Sequence, residues 1–150
     1  MFGKIKYLSQ RDPHWGEVNI GQSPLKIKDY GCTLTCVSMA SMWFNCYHNP
    51  EWMAKNLSFT KDGKILWQSI NKLCFQFIWR FYGLQEKMIN AALAHPSQIC
   101  LLEIRKVHWV LGLSKWGNYY RTADPWNGTT KLYHKSYVSG GSLFDVKQLR

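Results

Sequence analysis

An α+β fold is predicted, with N-terminal helices packed on a C-terminal antiparallel β-sheet. Segments whose apolar residues recur at helical spacing come early, beginning at Cys32. Strand-like segments follow one another from Ile99 onward, and Trp116-Gly117-Asn118 supplies a hairpin connection between two of them.

Taken in order, Lys4 to Leu8 alternates enough to be a short strand. Residues 11–30 hold Pro13, Gly16, Gly21 and Pro24 and read as a long loop or loose hairpin. From Cys32 to Asn45 the apolar positions Leu34, Val37, Met39-Ala40 and Met42-Trp43 fit a helix with a broad buried face. Asn49-Pro50-Glu51 is a helix start, with a cap, a proline in the first turn and an early acid; that helix runs through Trp52, Met53 and Leu57. Asp62-Gly63 marks a turn, and Ile65 to Leu73 is read as a third helix. Phe75 to Phe81 is a strand, and Leu84 to Ala94 an amphipathic helix stopped by His95-Pro96. Ile99 to Ile104, Val107 to Leu113 and Tyr119 to Ala123 are successive strands. Residues 129–150 add one or two more, with Gly140-Gly141 as the turn.

The 150 residues are read as one domain, 1–150, able to bury a single core. Apolar residues at 46% and charged residues at 19% exclude a disordered chain. The eight Trp, eight Tyr and seven Phe supply core and leave some to line a groove. The formal charge of +10 points to an acidic partner. The basic residues are dispersed, with Arg105-Lys106 the one adjacent pair, so no basic tail is available to wrap nucleic acid and no specific nucleic-acid partner is expected. No window has the ~20 apolar residues of a membrane span and the start carries no signal-peptide pattern. Five cysteines at scattered positions suggest free thiols and cytoplasmic synthesis, with Cys46, Cys74 and Cys100 read as small buried hydrophobes.

The chemistry centres on Cys32, His108 and Asp124. Cys32 follows Gly31 and opens a helix, where unpaired N–H groups and the dipole favour a thiolate. Gly31 allows a tight entry and a close approach of substrate backbone. His108 is embedded among strand residues, unlike His14, His48, His95 and His134. If the hairpin pairs around Gly117, Asp124 falls opposite or nearly opposite His108 and can hold its tautomer, while also capping the turn that Pro125 begins. A thiol, an imidazole and a carboxylate so arranged suit acyl transfer. Cys36 shares a helix face with Cys32 and is read as a core residue, since a zinc pair would need further ligands and none is apparent. For an oxyanion donor the Cys32 N–H is joined by Gln10 or Gln22, with Gln10 better held.

Four blocks carry a resemblance: Leu8-Ser9-Gln10-Arg11-Asp12-Pro13-His14-Trp15; Tyr30-Gly31-Cys32 with its helix; Val107-His108-Trp109-Val110-Leu111-Gly112; and Asp124-Pro125-Trp126-Asn127-Gly128. In this order they resemble the papain-like cysteine peptidases, and within them the peptidases that cleave double-glycine leaders from bacteriocins and their stand-alone relatives. The resemblance implies a papain-like fold with Cys32 as nucleophile, His108 as base, Asp124 as orienter and Gln10 as oxyanion donor; no cofactor or metal is expected. One departure stands out: Thr33 and Leu34 occupy positions where that family has small turn residues after the cysteine.

The expected function is a cysteine peptidase cutting peptide bonds in a peptide or peptidoglycan substrate. With the charge of +10 an anionic cell-wall polymer is the favoured partner, as for a phage-type endolysin. Such a protein is made in the cytoplasm without a signal peptide and released to the wall during lysis; a monomer is expected. The alternatives are an intracellular protein-processing protease, and a catalytically idle papain-like module that binds an acidic partner.

Overall fold

The structure, a computed structural model, describes residues 4–147. The first three residues, read above for a targeting signal, and the last three, the end of the final strand region, lie outside it. Its elements are α1 (Ile27–Tyr30), α2 (Cys32–Trp43), α3 (Pro50–Asn56), β1 (Phe75–Tyr82), α4 (Glu86–Ala94), β2 (Gln98–Ile104), β3 (His108–Trp116), β4 (Tyr119–Asp124), β5 (Thr129–His134) and β6 (Val138–Val146). The strands form one antiparallel sheet in the order β1-β6-β2-β3-β4-β5. The α+β expectation holds.

Both faces of the sheet are covered, and the strands alternate between two cores. On β2, Ile99 and Leu101 face the core that holds Leu34, Val37 and Ala40 of α2, while Cys100, Leu102 and Ile104 face the one that holds Ile89 and Ala92 of α4. This is why β2 reads as a nearly unbroken apolar run. In α2, Leu34 through Ser41 are all buried. Its polar residues bond to nearby backbone: Thr35 Oγ1 donates to Gly31 O at 2.7 Å, and Ser38 Oγ to His48 O at 2.6 Å. α3 starts as its sequence dictates, Asn49 Oδ1 accepting from Trp52 N at 2.8 Å with Pro50 in the first turn.

Four expectations are corrected. Lys4 to Leu8 is no strand: its N–H groups turn to α2, Lys6 N to Met42 Sδ and Leu8 N to Met39 Sδ, leaving no ladder to join. The third helix is instead a 3₁₀ segment, Trp67–Lys72. Ser69 Oγ donates to Leu66 O, and Asn71 Oδ1 accepts from Phe77 N, local side-chain bonds that compete with an α-helical ladder. Gly140-Gly141 is not a turn but the middle of β6. A Cβ on Gly141 would lie 2.3 Å from Phe81 Cζ and 2.6 Å from Leu101 O, so the glycine admits close packing between β1 and β2. Finally, Cys46 and Cys74 are joined in a disulfide with a Cα–Cα separation of 6.2 Å, whereas Cys32, Cys36 and Cys100 are free. The fold brings the segment after α2 against the start of β1, a proximity that cysteine spacing does not reveal.

Candidate active site

Gly31 separates α1 from α2 and sets the position of Cys32. Its N–H donates to Ile27 O at 2.8 Å while its carbonyl accepts from Thr35 N at 3.1 Å, so it ends one helix and begins the next. A Cβ here would lie 2.6 Å from both Ile27 O and Ile27 Cγ2. The glycine is therefore required by contact with α1. Cys32 occupies the first turn of α2, where backbone N–H groups lack intrahelical partners.

Cys36 does more than fill core. Its thiol donates to Trp109 O at 3.6 Å, tying α2 one turn past Cys32 to the strand residue that follows His108. Burial pushes the Cys36 thiol well above the usual range, and the charges of Cys32 and Asp124 push the same way.

His108 and Asp124 are together. Nε2 of His108 lies 2.7 Å from Asp124 Oδ1. The register is not the one expected, however: Leu111 pairs with Ala123 and Trp116 with Tyr119, with an irregularity between Gly112 and Ser114. Gly117, at φ +57, takes the first place of a two-residue turn. Asp124 thus reaches His108 on a diagonal, within range of the two side chains.

The Asp124 carboxylate is buried and accepts three hydrogen bonds. Oδ1 takes those from His108 and from Trp126 N (2.9 Å), and Oδ2 takes one from the Tyr133 hydroxyl at 2.6 Å. Burial alone would raise its pKa; the bonds from His108, Tyr133 and Trp126 outweigh that and hold it at about 2. Burial likewise disfavours a charged His108, but hydrogen bonds to Asp124 and Cys32, with their charges, raise its pKa to about 9. With Nε2 facing Asp124, the ring nitrogen that remains for Cys32 is Nδ1.

Tyr133 was missed by the sequence reading. It lies on β5 among Lys, Thr and His; pairing sets it opposite Tyr120, and its hydroxyl reaches along the sheet to Asp124 Oδ2.

Gln10 is buried and held from three sides. Its backbone N–H donates to Pro125 O at 2.7 Å, and Nε2 donates to Lys28 O (3.1 Å) and Ile27 O (3.4 Å) of α1. Its Oε1 has no hydrogen-bond partner among the described residues. The Ser9-Gln10-Arg11 segment docks on the turn after Asp124: Ser9 Oγ donates to Trp126 O at 2.9 Å and the Arg11 guanidinium covers the Trp126 ring at 4.9 Å. Gly128, at φ +67, would drive a Cβ to 3.0 Å from Leu8 C and Ser9 N, so this contact needs glycine. Gln22 is exposed on the turn between Ile20 and Leu25.

The remaining histidines are engaged elsewhere. His14 pairs with Asp12 at 2.7 Å, His48 stacks on Trp52 at 3.8 Å, and His95 and His134 accept from Ser97 N and Ser136 N.

Beside Cys32 opens a cleft of about 620 Å³ whose lining includes Tyr30, Trp67, Arg80, Tyr82 and Trp109. Arg80 is fixed in it, with Nη2 3.1 Å from Glu103 Oε2 and its guanidinium over the Tyr82 ring (4.1 Å) and the Trp109 ring (4.8 Å). Part of the aromatic content thus lines a groove. Among the described residues no helix is long and apolar enough to cross a membrane.

No family model matches the sequence, and no curated protein matches it either. In structure the chain is similar to the crystal structure of a double-glycine motif protease from an AMS/PCAT transporter, solved in complex with the leader peptide. The two share 14% sequence identity with a TM-score of 0.60 over 77% of this chain and 84% of that one. At this identity the likeness establishes the fold, which is papain-like and agrees with the resemblance carried by the four sequence blocks.

Proposed function

We propose that this chain is a cysteine peptidase in which Cys32 is the nucleophile, His108 the base and acid, Asp124 the group that orients His108, and Gln10 an oxyanion donor. The observation that carries the proposal is the His108–Asp124 pair at 2.7 Å, with Cys32 near enough to help raise the His108 pKa from the start of α2, beside an open cleft.

The cycle follows from the chemistry of those groups. His108 Nδ1 takes the Cys32 proton, and the thiolate sulfur attacks a peptide carbonyl carbon. Negative charge moves to the carbonyl oxygen, which the Cys32 N–H at the head of α2 is suited to stabilise. Gln10 joins it if one Nε2 hydrogen leaves the long 3.4 Å contact with Ile27 O. As the C–N bond breaks, the imidazolium gives its proton to the departing amine and a thioester remains. Water then attacks the thioester, His108 takes the water proton, and the acid and free Cys32 are released. Asp124, ionised at neutral pH, stabilises the imidazolium at the two steps where it forms.

For substrate we propose the peptides of an anionic cell wall, acted on after release from the cell. The net charge of +10 supports this, as does the Cys46–Cys74 disulfide, which persists better outside a reducing cytoplasm. The test is to offer purified peptidoglycan and an unfolded protein to the wild type and to Cys32→Ala. Wall clearing lost in the variant is expected; cleavage of protein alone would assign the enzyme to protein processing. No cleavage of either would leave a binding module.

A further inference from the structure

We infer that the cleft on the His108 side of the site binds a carboxylate on the leaving fragment of the substrate, through Arg105 and Lys131. This rests on the peptidase reading above.

The first observation is the turn between β2 and β3. Arg105 and Lys106 both have positive φ, 53° and 63°, and Val107 N donates to Ile104 O at 3.1 Å across them. Such a turn favours Asn-Gly, and two bulky L-residues here carry about 1 kcal/mol or more of strain each. The strain is held in place by neighbours: Arg105 N donates to Tyr137 O at 2.9 Å and Lys106 N to Ser139 Oγ at 2.8 Å. A turn kept in an unfavourable conformation beside a reactive histidine is a sign of function.

The second observation is a cleft of about 360 Å³, lined by Arg105, His108, Lys131, Tyr133 and Tyr137 among others, and by no carboxylate. Arg105 stands over the Tyr137 ring at 4.0 Å and Lys131 over the Tyr133 ring at 5.0 Å. Both cations are exposed, and neither has a carboxylate partner among the described residues. The cleft beside Cys32 differs, since there Asp62 and Glu103 accompany Lys64, Arg80 and Lys106. Of these two clefts, only the one on the His108 side is lined by cations without a carboxylate. Because the His108 imidazolium delivers its proton to the departing amine, the fragment that leaves lies on this side, and the missing charge is supplied by an acidic side chain or a terminal carboxylate just beyond the scissile bond.

The experiment profiles cleavage of a mixed peptide library by mass spectrometry, with free and amidated C-termini, using the wild type and Arg105→Asn/Lys131→Gln. Asparagine tolerates the left-handed conformation, so the turn survives loss of the charge. Two partly exposed ion pairs together predict about a ten-fold preference in kcat/KM for a carboxylate in the first two leaving-side positions, falling toward one in the variant. Preference for acidic side chains in amidated peptides identifies a side chain as the source; preference confined to free C-termini identifies the terminal carboxylate; both support the inference. No preference, a preference unchanged in the variant, or one for acids on the acyl side overturns it. If no peptide is cut, the peptidase reading fails by itself. Binding of fluorescent acidic and neutral peptides to Cys32→Ala still decides the inference, which requires about ten-fold tighter binding of the acidic one, reduced in Cys32→Ala/Arg105→Asn/Lys131→Gln.

Discussion

Replacing Asp124 by Asn removes a charge while keeping the size and hydrogen-bonding outline of the side chain, and its main effect should be on His108. In the native protein the imidazole titrates at about 9, against an ordinary value of 6.5. That difference corresponds to about 3 kcal/mol of preference for the imidazolium. An opposite charge in contact shifts a pKa by ~1–3 units, so His108 in Asp124→Asn should titrate between roughly 6 and 8. The sign for stability follows from linkage. A group whose pKa is raised on folding contributes fully below 6.5, and that contribution fades as pH rises through 9. Native stability should therefore fall by about 3 kcal/mol across this window on account of His108, and the fall should shrink by roughly two-fifths or more in the variant. Asp124 and His108 report the same contact, so the contribution is counted once. The assay is an NMR titration of the His108 ring beside urea unfolding at pH 6.5 and 9.5. A His108 that titrates at the same pH in both proteins would refute the reasoning, since Asp124 would then not support the imidazolium.

Four further outcomes are expected. Tyr133→Phe removes one of three bonds to the Asp124 carboxylate and should cost about 1.5–3 kcal/mol at pH 7, measured by urea unfolding. Because Asp124 is held at about 2, its contribution is present above 3.8 and disappears as pH falls through 2; Tyr133→Phe should raise that pKa and move acid unfolding to higher pH, seen by circular dichroism. Gly31→Ala forces a Cβ into Ile27 and should destabilise the protein by ~1–3 kcal/mol while displacing Cys32, so that kcat falls more than thermal stability explains. Replacing Cys46 and Cys74 by Ser releases a link across 28 residues and should cost ~3–4 kcal/mol, whereas a melting temperature indifferent to a reducing agent would mean no bond forms.

The candidate site was legible in the sequence where local signals converge. His108 drew notice as a titratable residue inside an apolar strand, and the Trp116-Gly117-Asn118 turn brought Asp124 back toward it. The pairing was right although the register was not, because the irregularity at Gly112–Ser114 shifts the strands and a diagonal contact serves as well as a direct one. Cys32 stood out through its place after a glycine at a helix start, but the need for that glycine lies in α1, four residues back. What remained hidden depends on segments distant in sequence. The Tyr133 hydroxyl reaches Asp124 although its strand partner is Tyr120, Cys36 reaches Trp109 across the core, and Cys46 finds Cys74 past an intervening helix. The strained Arg105-Lys106 turn was hidden for the opposite reason: its sequence contains none of the residues its conformation prefers.

Activation of Cys32 by His108 is read most directly from the rate of iodoacetamide alkylation at each free thiol, followed by mass spectrometry from pH 5 to 9. Cys36 and Cys100 are buried, and burial raises the pKa of both thiols, so both should label slowly. Cys32 should react at least about a hundred-fold faster than either at pH 6, and His108→Ala should abolish this advantage. Slow labelling of all three thiols alike, or fast labelling of Cys32 that survives the loss of His108, would contradict it.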